Sequence, residues 1–308
     1  MKRKITILTI AFLSSMLMYA NAFAAATGRC GDSITWTLDD LGNLTLSGSG
    51  EMWNNGYDDS PFKDYEIRKA TVKYGITSIG ESAFLGCRGM TELTLPNSVT
   101  SIGGNAFEGC NGLTELILPN SVTSIGDCAF YGCSGLTELI LPNSVRSIGD
   151  IAFTYCSGLE KITVESGNSC YDSRDNCNSI IDTEFNTLIV GCKSSVIPNS
   201  VTSIGYYAFY GCSGLTELTL PDSVASIGDG AFICCSDLSK ITSLAEIPPV
   251  CGSGVFDGVN KTNCKLIVPI VSVIAYKQAE VWNEFSNIKG FSGVEVTVAD
   301  KTRKIVVE

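Results

Sequence analysis

Apolar and polar positions repeat along most of the chain in a unit of 23 residues. An Ile-Gly pair marks the unit, and it begins at Ile79, Ile102, Ile125, Ile148, Ile204 and Ile227. The interval of 56 residues between Ile148 and Ile204 equals two periods plus ten residues, so one degenerate unit with an insertion lies there. A fixed period in the twenties predicts a solenoid, in which each unit forms one turn.

Within a unit, period-2 alternation predicts a strand. In the sequence LTELILPNSV, Leu116 and Leu118 alternate with Glu115 and Ile117, so the leucines face the core and the other two side chains face outward. Pro119 cannot donate to a strand ladder, and it ends the strand.

The rest of the unit turns back into the core. Val122 and Ile125 are apolar, and Ala129, Phe130 and Cys133 follow at a spacing that suits one short helical or 3₁₀ turn. One unit cannot close a core by itself. Stacked units bury a continuous apolar column, with parallel strands about 4.8 Å apart.

These residues resemble the BspA-like bacterial surface leucine-rich repeat proteins, whose units read strand, Pro, Ser-Val-Thr-Ser-Ile-Gly, then Ala-Phe-x-Gly-Cys. The resemblance spans residues from about 28 to about 290 in six copies. It implies an α/β leucine-rich repeat solenoid with a parallel sheet face, short helical or 3₁₀ turns, a β-rich N-terminal cap and a hairpin insertion. It also implies adhesion to host or microbial surface proteins, with fibronectin-type and fibrinogen-type matrix proteins as suggested partners.

Breaks in the repeat divide the chain into seven predicted segments. They are a signal peptide (1–24), an N-terminal β-rich cap (25–75), repeats (76–164), a degenerate repeat with a β-hairpin (165–197), repeats (198–246), a C-terminal capping unit (247–290) and an unassigned tail (291–308).

The segment 1–24 has a basic start, an apolar run from residue 5 to residue 17, and small residues at candidate cleavage sites, which is typical of a signal peptide. The alternative is a transmembrane anchor, which the shortness of the apolar run disfavours. We therefore expect a secreted or cell-surface protein without membrane insertion after signal removal. Loss of three basic residues changes the formal net charge from −11 to −14, which repels nucleic acid and anionic lipid.

The two ends depart from the repeat. Strands at 33–38 and 43–47 form a predicted hairpin. The loop 51–61 is rich in aromatic residues and acids; an end cap that covers the first repeat is the preferred interpretation, and a sugar-stacking site is the alternative. At the other end, 273–285 has helical spacing, and two short strands are predicted at 293–298 and 304–307.

The chain contains no histidine. This excludes Ser-His-Asp triads, Cys-His dyads and H-E-x-x-H metalloprotease sites. Asp172 and Asp175 miss the alternating spacing of a calcium loop, so a plain hairpin loop is the preferred interpretation. We predict a non-catalytic protein with no cofactor or metal. An enzyme that uses paired carboxylates remains a third hypothesis, after protein adhesion and a glycan-binding or nutrient-capture module.

The fourteen cysteines fall into two groups. Six share one repeat position and are predicted to stack as buried thiols, since parallel side chains give the wrong disulfide geometry. They are Cys87, Cys110, Cys133, Cys156, Cys212 and Cys235. The other eight are Cys30, Cys128, Cys170, Cys177, Cys192, Cys234, Cys251 and Cys264.

Two disulfides are predicted in the second group. If 178–182 and 187–191 are strands joined at 183–186, paired residue numbers sum to 369, which places Cys177 opposite Cys192. A hairpin of this sequence also resembles one that recurs in BspA-like proteins. A bridge between Cys251 and Cys264 would close a short loop in the C-terminal capping unit.

The repeat also fixes which side chains face outward from the strands. The first outward position reads Glu92, Glu115, Glu138, Lys161, Glu217 and Lys240, and the second reads Thr94, Ile117, Ile140, Thr163, Thr219 and Thr242. Four glutamates on one sheet face suggest a cation site or a basic ligand, but copying of a solvated Glu by repeat duplication is the preferred interpretation of the glutamates alone. The predicted partner-binding residues are Glu92, Thr94, Glu115, Ile117, Glu138, Ile140, Glu217 and Thr219, because solenoids bind through extended sheets.

Overall fold

The computed structural model describes residues 24–57 and 59–292. They form a β-solenoid of about 11 turns with a period of about 23 residues, which confirms the predicted fold. The Ala-Phe-x-Gly-Cys segments form tight turns instead of helices. In the turn at Phe107, for example, the amide of Cys110 donates to the Phe107 carbonyl at 3.1 Å, the bond of a 3₁₀ turn.

The N-terminal hairpin is confirmed, with an additional strand before it. Strands β1 (Ala24–Gly31), β2 (Ile34–Asp39) and β3 (Asn43–Gly48) pair antiparallel in sequence order. The Asp39 carboxylate closes the turn between β2 and β3 by accepting the amide of Leu41 at 2.9 Å. Strand β1 was not predicted from the sequence, because its residues lack a clear apolar alternation.

Parallel stacking begins before residue 76, where the sequence places the first repeat. Strand β3 pairs parallel with β5 (Lys69–Val72), and β4 (Gly50–Glu51) pairs parallel with β6 (Ile76–Ile79). The N-terminal segment therefore caps the solenoid by forming turns of its own.

Two columns of parallel strands run along the repeats. The Leu-x-Leu column contains β5, β7 (Glu92–Thr94), β9 (Glu115–Leu116), β11 (Glu138–Leu141), β13 (Lys161–Val164), β18 (Glu217–Leu220), β20 (Lys240–Ser243), β22 (Lys265–Pro269) and β23 (Asn287–Phe291), and its ladder is broken between β7 and β9 and between β13 and β18. The Ser-Ile column contains β6, β8 (Ser101–Ile102), β10 (Ser124–Ile125), β12 (Ser147–Ile148), β16 (Thr187–Val190), β17 (Ser203–Ile204), β19 (Ser226–Ile227) and β21 (Val250–Cys251), and its ladder is broken between β12 and β16.

The column registers place equivalent residues of successive repeats side by side. Ser124 pairs with Ser101 and with Ser147 in the neighbouring strands, a step of one period each. Each buried Phe therefore stacks on the Phe of the next turn, with ring centroids 5.0 to 5.4 Å apart. The stacked rings are Phe62, Phe84, Phe107, Phe130 and Phe153, and then Phe209, Phe232 and Phe256.

The six repeat cysteines are buried free thiols, as predicted. The structure adds a bond that the sequence did not reveal: the Cys133 thiol donates to the Phe107 carbonyl of the preceding turn at 3.2 Å. The same bond joins Cys156 to Phe130. Burial raises the pKa of Cys133 to about 12, so these thiols stay protonated and serve packing.

The predicted hairpin interrupts the repeats. Strand β15 (Ile180–Asp182) pairs antiparallel with β16 and with β14 (Tyr171–Asp172). Asp182 pairs with Thr187, the predicted register, but a shift follows and Ile180 pairs with Val190. At this level the apolar interior divides into two clusters, which we call the N-terminal core and the C-terminal core.

Neither predicted disulfide is present, because all four cysteines are free thiols. The register shift explains the first case: Cys192 packs into the N-terminal core, whereas Cys177 packs into the C-terminal core. In the second case Cys251 lies in β21 of the Ser-Ile column, whereas Cys264 directly precedes β22 of the Leu-x-Leu column. Both predictions are corrected accordingly.

The C-terminal cap contains a shorter helix than predicted. Helix α1 spans Val273–Gln278, and short 3₁₀ segments occur at Arg174–Asn176, Ile270–Ser272 and Trp282–Glu284. The Trp282 indole donates to the Pro249 carbonyl at 2.8 Å, which ties the 3₁₀ segment at Trp282–Glu284 to the residue before β21.

The predicted signal peptide lies outside the described residues except for Ala24, the first residue of β1. The strands predicted at 293–298 and 304–307 also lie outside them. Within the described chain, no helix has both the length and the apolar character needed to cross a bilayer.

Candidate functional site

The outward side chains of the Leu-x-Leu column form a surface that we call the sheet face. Its first row brings opposite charges together across neighbouring strands. Lys69 lies 2.6 Å from Glu92, and Lys161 lies 2.5 Å from Glu138. Glu217 pairs with Lys240 at 2.8 Å in the same way. The sequence predicted a stripe of glutamates, and the structure shows that three of the four have a lysine partner.

The fourth glutamate lies beside exposed apolar residues. Among the described residues Glu115 forms no ion pair, and it pairs in the ladder with Glu138. Ile117, which directly follows β9, is 69% exposed, and Ile140 in β11 is 44% exposed. We call Glu115, Ile117 and Ile140 the central patch. Its apolar centre and charged rim are the arrangement found at protein interfaces.

The other outward positions are polar or covered. Thr94 and Thr219 are exposed, as predicted. Thr242 is buried near the C-terminal cap. The central patch is therefore the apolar part of a sheet face that carries threonine at Thr94, Thr163 and Thr219.

A second surface, which sequence reasoning missed, runs along the tight turns. We define the turn face as residues 80–86, 103–109, 126–132, 149–155, 205–211 and 228–234. These segments contain no lysine or arginine, and they contain five acids: Glu81, Glu108, Asp127, Asp150 and Asp229. The turn face thus differs from the sheet face, where lysines offset the acids.

Five tyrosines form a continuous cluster on the turn face. Tyr131 stacks on Tyr155 with ring centroids 6.2 Å apart, and Tyr155 contacts Tyr210 at 5.2 Å. Tyr207 lies 5.4 Å from Tyr210 and 4.1 Å from Tyr206. Burial, together with a hydrogen bond to Tyr210, raises the pKa of Tyr131 above its usual range. Tyr206 and Tyr155 remain 51% and 42% exposed, so the cluster includes two accessible rings.

Special backbone positions accommodate this cluster. Tyr155 has φ +62° at a position that carries Gly in neighbouring turns, such as Gly132 and Gly211. A Cβ atom on Gly211 would lie 2.3 Å from the Tyr155 ring, and one on Gly230 would lie 2.1 Å from the Tyr207 ring. Only glycine therefore fits beneath either ring.

A notch with a volume of about 140 Å³ lies next to the tyrosines, between residues 149–155 and 205–206. Its lining includes Asp150, Ile151, Val190 and Tyr206. The sequence signal for this site was the Tyr-Tyr pair after an Ile-Gly pair, together with Tyr155 in place of glycine, on both sides of the insertion.

The aromatic loop of the N-terminal cap is used structurally. The Trp53 indole donates to Asp32 at 3.0 Å, and the Tyr57 hydroxyl donates to Glu108 at 2.7 Å. The first bond ties the loop to the turn between β1 and β2, and the second ties it to the turn at Phe107, so both serve the structure of the cap. Asp172 is paired with Arg174 at 2.8 Å, in keeping with a plain hairpin loop. In the described ranges, no group of three or more Cys, Asp and Glu is arranged to hold a metal ion.

Comparisons with known proteins agree with this architecture. A family model described as a BspA type leucine rich repeat region, in six copies, matches residues 57–181 and 178–269. No curated protein sequence matches the chain.

Three solved structures match the chain, and the first of them shares its fold. A leucine-rich repeat protein from Eubacterium ventriosum is 23% identical, with a TM-score of 0.55 and coverage of 85% of this chain and 84% of that chain. One from Bacteroides ovatus is 24% identical, with a TM-score of 0.46 and coverage of 77% and 70%. A leucine rich cell surface protein from Faecalibacterium prausnitzii is 21% identical, with a TM-score of 0.44 and coverage of 87% and 95%.

Proposed function

Because the chain belongs to the BspA-type leucine-rich repeat family, we propose that it is a secreted or cell-surface protein that binds an extracellular protein and has no catalytic activity. Family membership by itself implies a protein-interaction or surface role. The finer proposal of adhesion rests on the predicted signal peptide and on the surface of the repeats.

The observation that carries the proposal is the central patch. Ile117 and Ile140 expose apolar side chains at equivalent positions of adjacent repeats, where other repeats carry threonine. The Lys69–Glu92 and Lys161–Glu138 pairs border them. Such pairs are worth little in water because both ions are solvated. They suit the polar rim of an interface, whereas the two isoleucines supply the apolar surface area whose burial would drive association.

The chemistry of the interior supports a binding role over a catalytic one. A thiol nucleophile needs a lowered pKa. In this chain burial raises the pKa of Cys87 and of Cys235 to about 12. These cysteines are part of the packing.

The test is a binding assay of the chain from residue 25 to residue 308 on immobilised fibronectin, fibrinogen and defined oligosaccharides. An Ile117→Thr/Ile140→Thr variant places the residue of other repeats at both positions, so the fold is retained. We expect saturable binding to a matrix protein and a loss of at least about tenfold in the variant, since burial of one isoleucine contributes about 1.5 kcal/mol or more and 1.4 kcal/mol is tenfold.

Ile247→Thr is the matched control, because Ile247 is highly exposed and lies outside the central patch. It should bind like the wild type. Binding to oligosaccharides alone, or equal losses in the two variants, would contradict the proposal and favour glycan capture through another surface.

A further inference from the structure

We propose that the notch between Asp150 and Tyr206 on the turn face binds a positively charged side chain, arginine or lysine, of a protein partner. This inference rests on the protein-binding role proposed above, but it concerns a different surface with its own chemistry.

The notch exists because the hairpin turn is too short on this side. In a regular turn four residues separate the core Ile from the core Phe, as between Ile204 and Phe209. In the hairpin turn Leu188 pairs with Ile204, and the Gly191 amide donates to the Ala208 carbonyl, the bond that Phe107 makes to Ala129. Only two residues lie between Leu188 and Gly191. The outward bulge of a regular turn is therefore missing, which leaves the notch.

The missing bulge also removes a hydrogen-bond donor. Elsewhere on the turn face, the aspartate after the Ile-Gly pair accepts the amide of the equivalent residue in the next turn. Asp127 accepts the Asp150 amide at 2.9 Å, and Asp229 accepts the Ser253 amide at 2.7 Å. Asp150 faces the hairpin turn, which has no equivalent residue. In the described part of the chain its carboxylate has neither a hydrogen bond nor an ion pair, so it remains available to a ligand.

An aromatic side chain lines the same notch as this carboxylate. Tyr206 lines the notch and is half exposed. Burial and the neighbouring Tyr207 raise the pKa of Tyr206, with smaller contributions from the charges of Asp150 and Asp229. A cation beside a carboxylate and over an aromatic face gains from both contacts.

The charge of the surroundings selects the sign of the ligand. The turn-face segments carry five acids and no lysine or arginine, and the whole chain has a net charge of −11. A basic segment of a partner would be attracted to this face. The single carboxylate at the notch suits a guanidinium or an ammonium group, since a bound metal ion would require more oxygen ligands.

The probe is a fluorescent hexapeptide of alternating glycine and arginine, compared with the same peptide containing citrulline, the neutral isostere of arginine. Fluorescence anisotropy at low and high salt gives the affinity for the chain from residue 25 to residue 308. We expect the arginine peptide to bind and the citrulline peptide to bind about tenfold more weakly, with the difference reduced at high salt.

Variants place this binding at the notch. Asp150→Asn should weaken the arginine peptide about fivefold to tenfold, and Tyr206→Ser about threefold to tenfold, whereas Tyr206→Phe keeps the ring and should bind like the wild type. Glu81→Gln removes the same charge at the equivalent position of another turn, and it should change the affinity by less than about twofold. Thermal unfolding by circular dichroism verifies that each variant is folded.

Equal binding of the two peptides, or equal losses in Asp150→Asn and Glu81→Gln, would overturn the proposal. Displacement of the arginine peptide by a neutral oligosaccharide would also overturn it, because the notch would then be a sugar site. The Ile117→Thr/Ile140→Thr variant should retain peptide binding. If it does, a negative result for matrix-protein binding through the central patch does not affect the conclusion about the notch.

Discussion

Truncation of one phenylalanine in the stack should destabilise mainly the core to which that ring belongs. Phe130 is fully buried, and its ring lies 5.2 Å from both Phe107 and Phe153. Truncation of a buried phenylalanine costs about 3–5 kcal/mol. Part of that cost is ring stacking, about 0.5–1.5 kcal/mol per pair. We therefore expect Phe130→Ala to destabilise the protein by about 3–5 kcal/mol.

The location of the effect tests the architecture. Phe130 belongs to the N-terminal core, whereas Phe232 belongs to the C-terminal core beyond the hairpin. Repeats contact their neighbours only, so a cavity weakens nearby turns most. Hydrogen exchange followed by mass spectrometry should show faster exchange in residues 100–160 for Phe130→Ala and in residues 200–260 for Phe232→Ala.

A double-mutant cycle measures the stacking itself. Phe107→Ala and Phe130→Ala, alone and together, should give a coupling of about 0.5–1.5 kcal/mol in urea unfolding. Phe185→Ala is the control, since Phe185 is largely exposed, and it should change stability by less than about 0.5 kcal/mol. Uniform acceleration of exchange across both cores by either core variant, or a coupling near zero, would refute the reasoning.

Two further predictions concern cysteine. Burial raises the folded-state pKa of Cys87, Cys133 and Cys235 from 9.0 to about 12; their contribution to stability is therefore full below pH 9 and is lost as the pH rises toward 12. At pH 10 the loss in the free energy of unfolding is about 1.4 kcal/mol per thiol. Urea unfolding midpoints measured from pH 7 to pH 10.5 should therefore decrease above pH 9, and constant midpoints would contradict the prediction. Cys234 is exposed with φ +59° at a position that carries Gly in other turns, so Cys234→Gly should raise stability by about 1 kcal/mol in urea unfolding. Cys234→Ala keeps the Cβ atom and should give no such gain, and an equal gain from both variants would show that backbone strain is not the cause.

The sequence was sufficient to predict the features that repeat. The period, the inward leucines, the buried cysteine ladder and the hairpin at 180–190 are all present. The first three follow from the 23-residue period, because a repeated unit must bury the same positions in every turn, and the hairpin follows from two short strand patterns on either side of a turn.

The predictions that were wrong or missing each depend on a local feature of the chain that does not repeat. One register shift at Ile180 separates Cys177 from Cys192, and the hydrophobic pattern of the hairpin does not specify it. The ion pair of Lys69 with Glu92 was missed, because the sequence places Lys69 in the N-terminal cap, where the pattern predicts no strand register. The notch was missed because the hairpin turn has two residues fewer than a regular turn at this point. This difference is visible only once the neighbouring turns are aligned in space.

The central claim is that the chain binds a protein partner through the central patch. Hydroxyl-radical footprinting tests it directly, because the oxidation rate of an exposed side chain falls when a partner covers it. The chain from residue 25 to residue 308 would be oxidised alone and with the matrix protein that it binds. The account predicts slower oxidation of Ile117 and Ile140 in the complex and an unchanged rate at Ile247, which lies outside the patch. Unchanged rates at Ile117 and Ile140 in a saturated complex would contradict it.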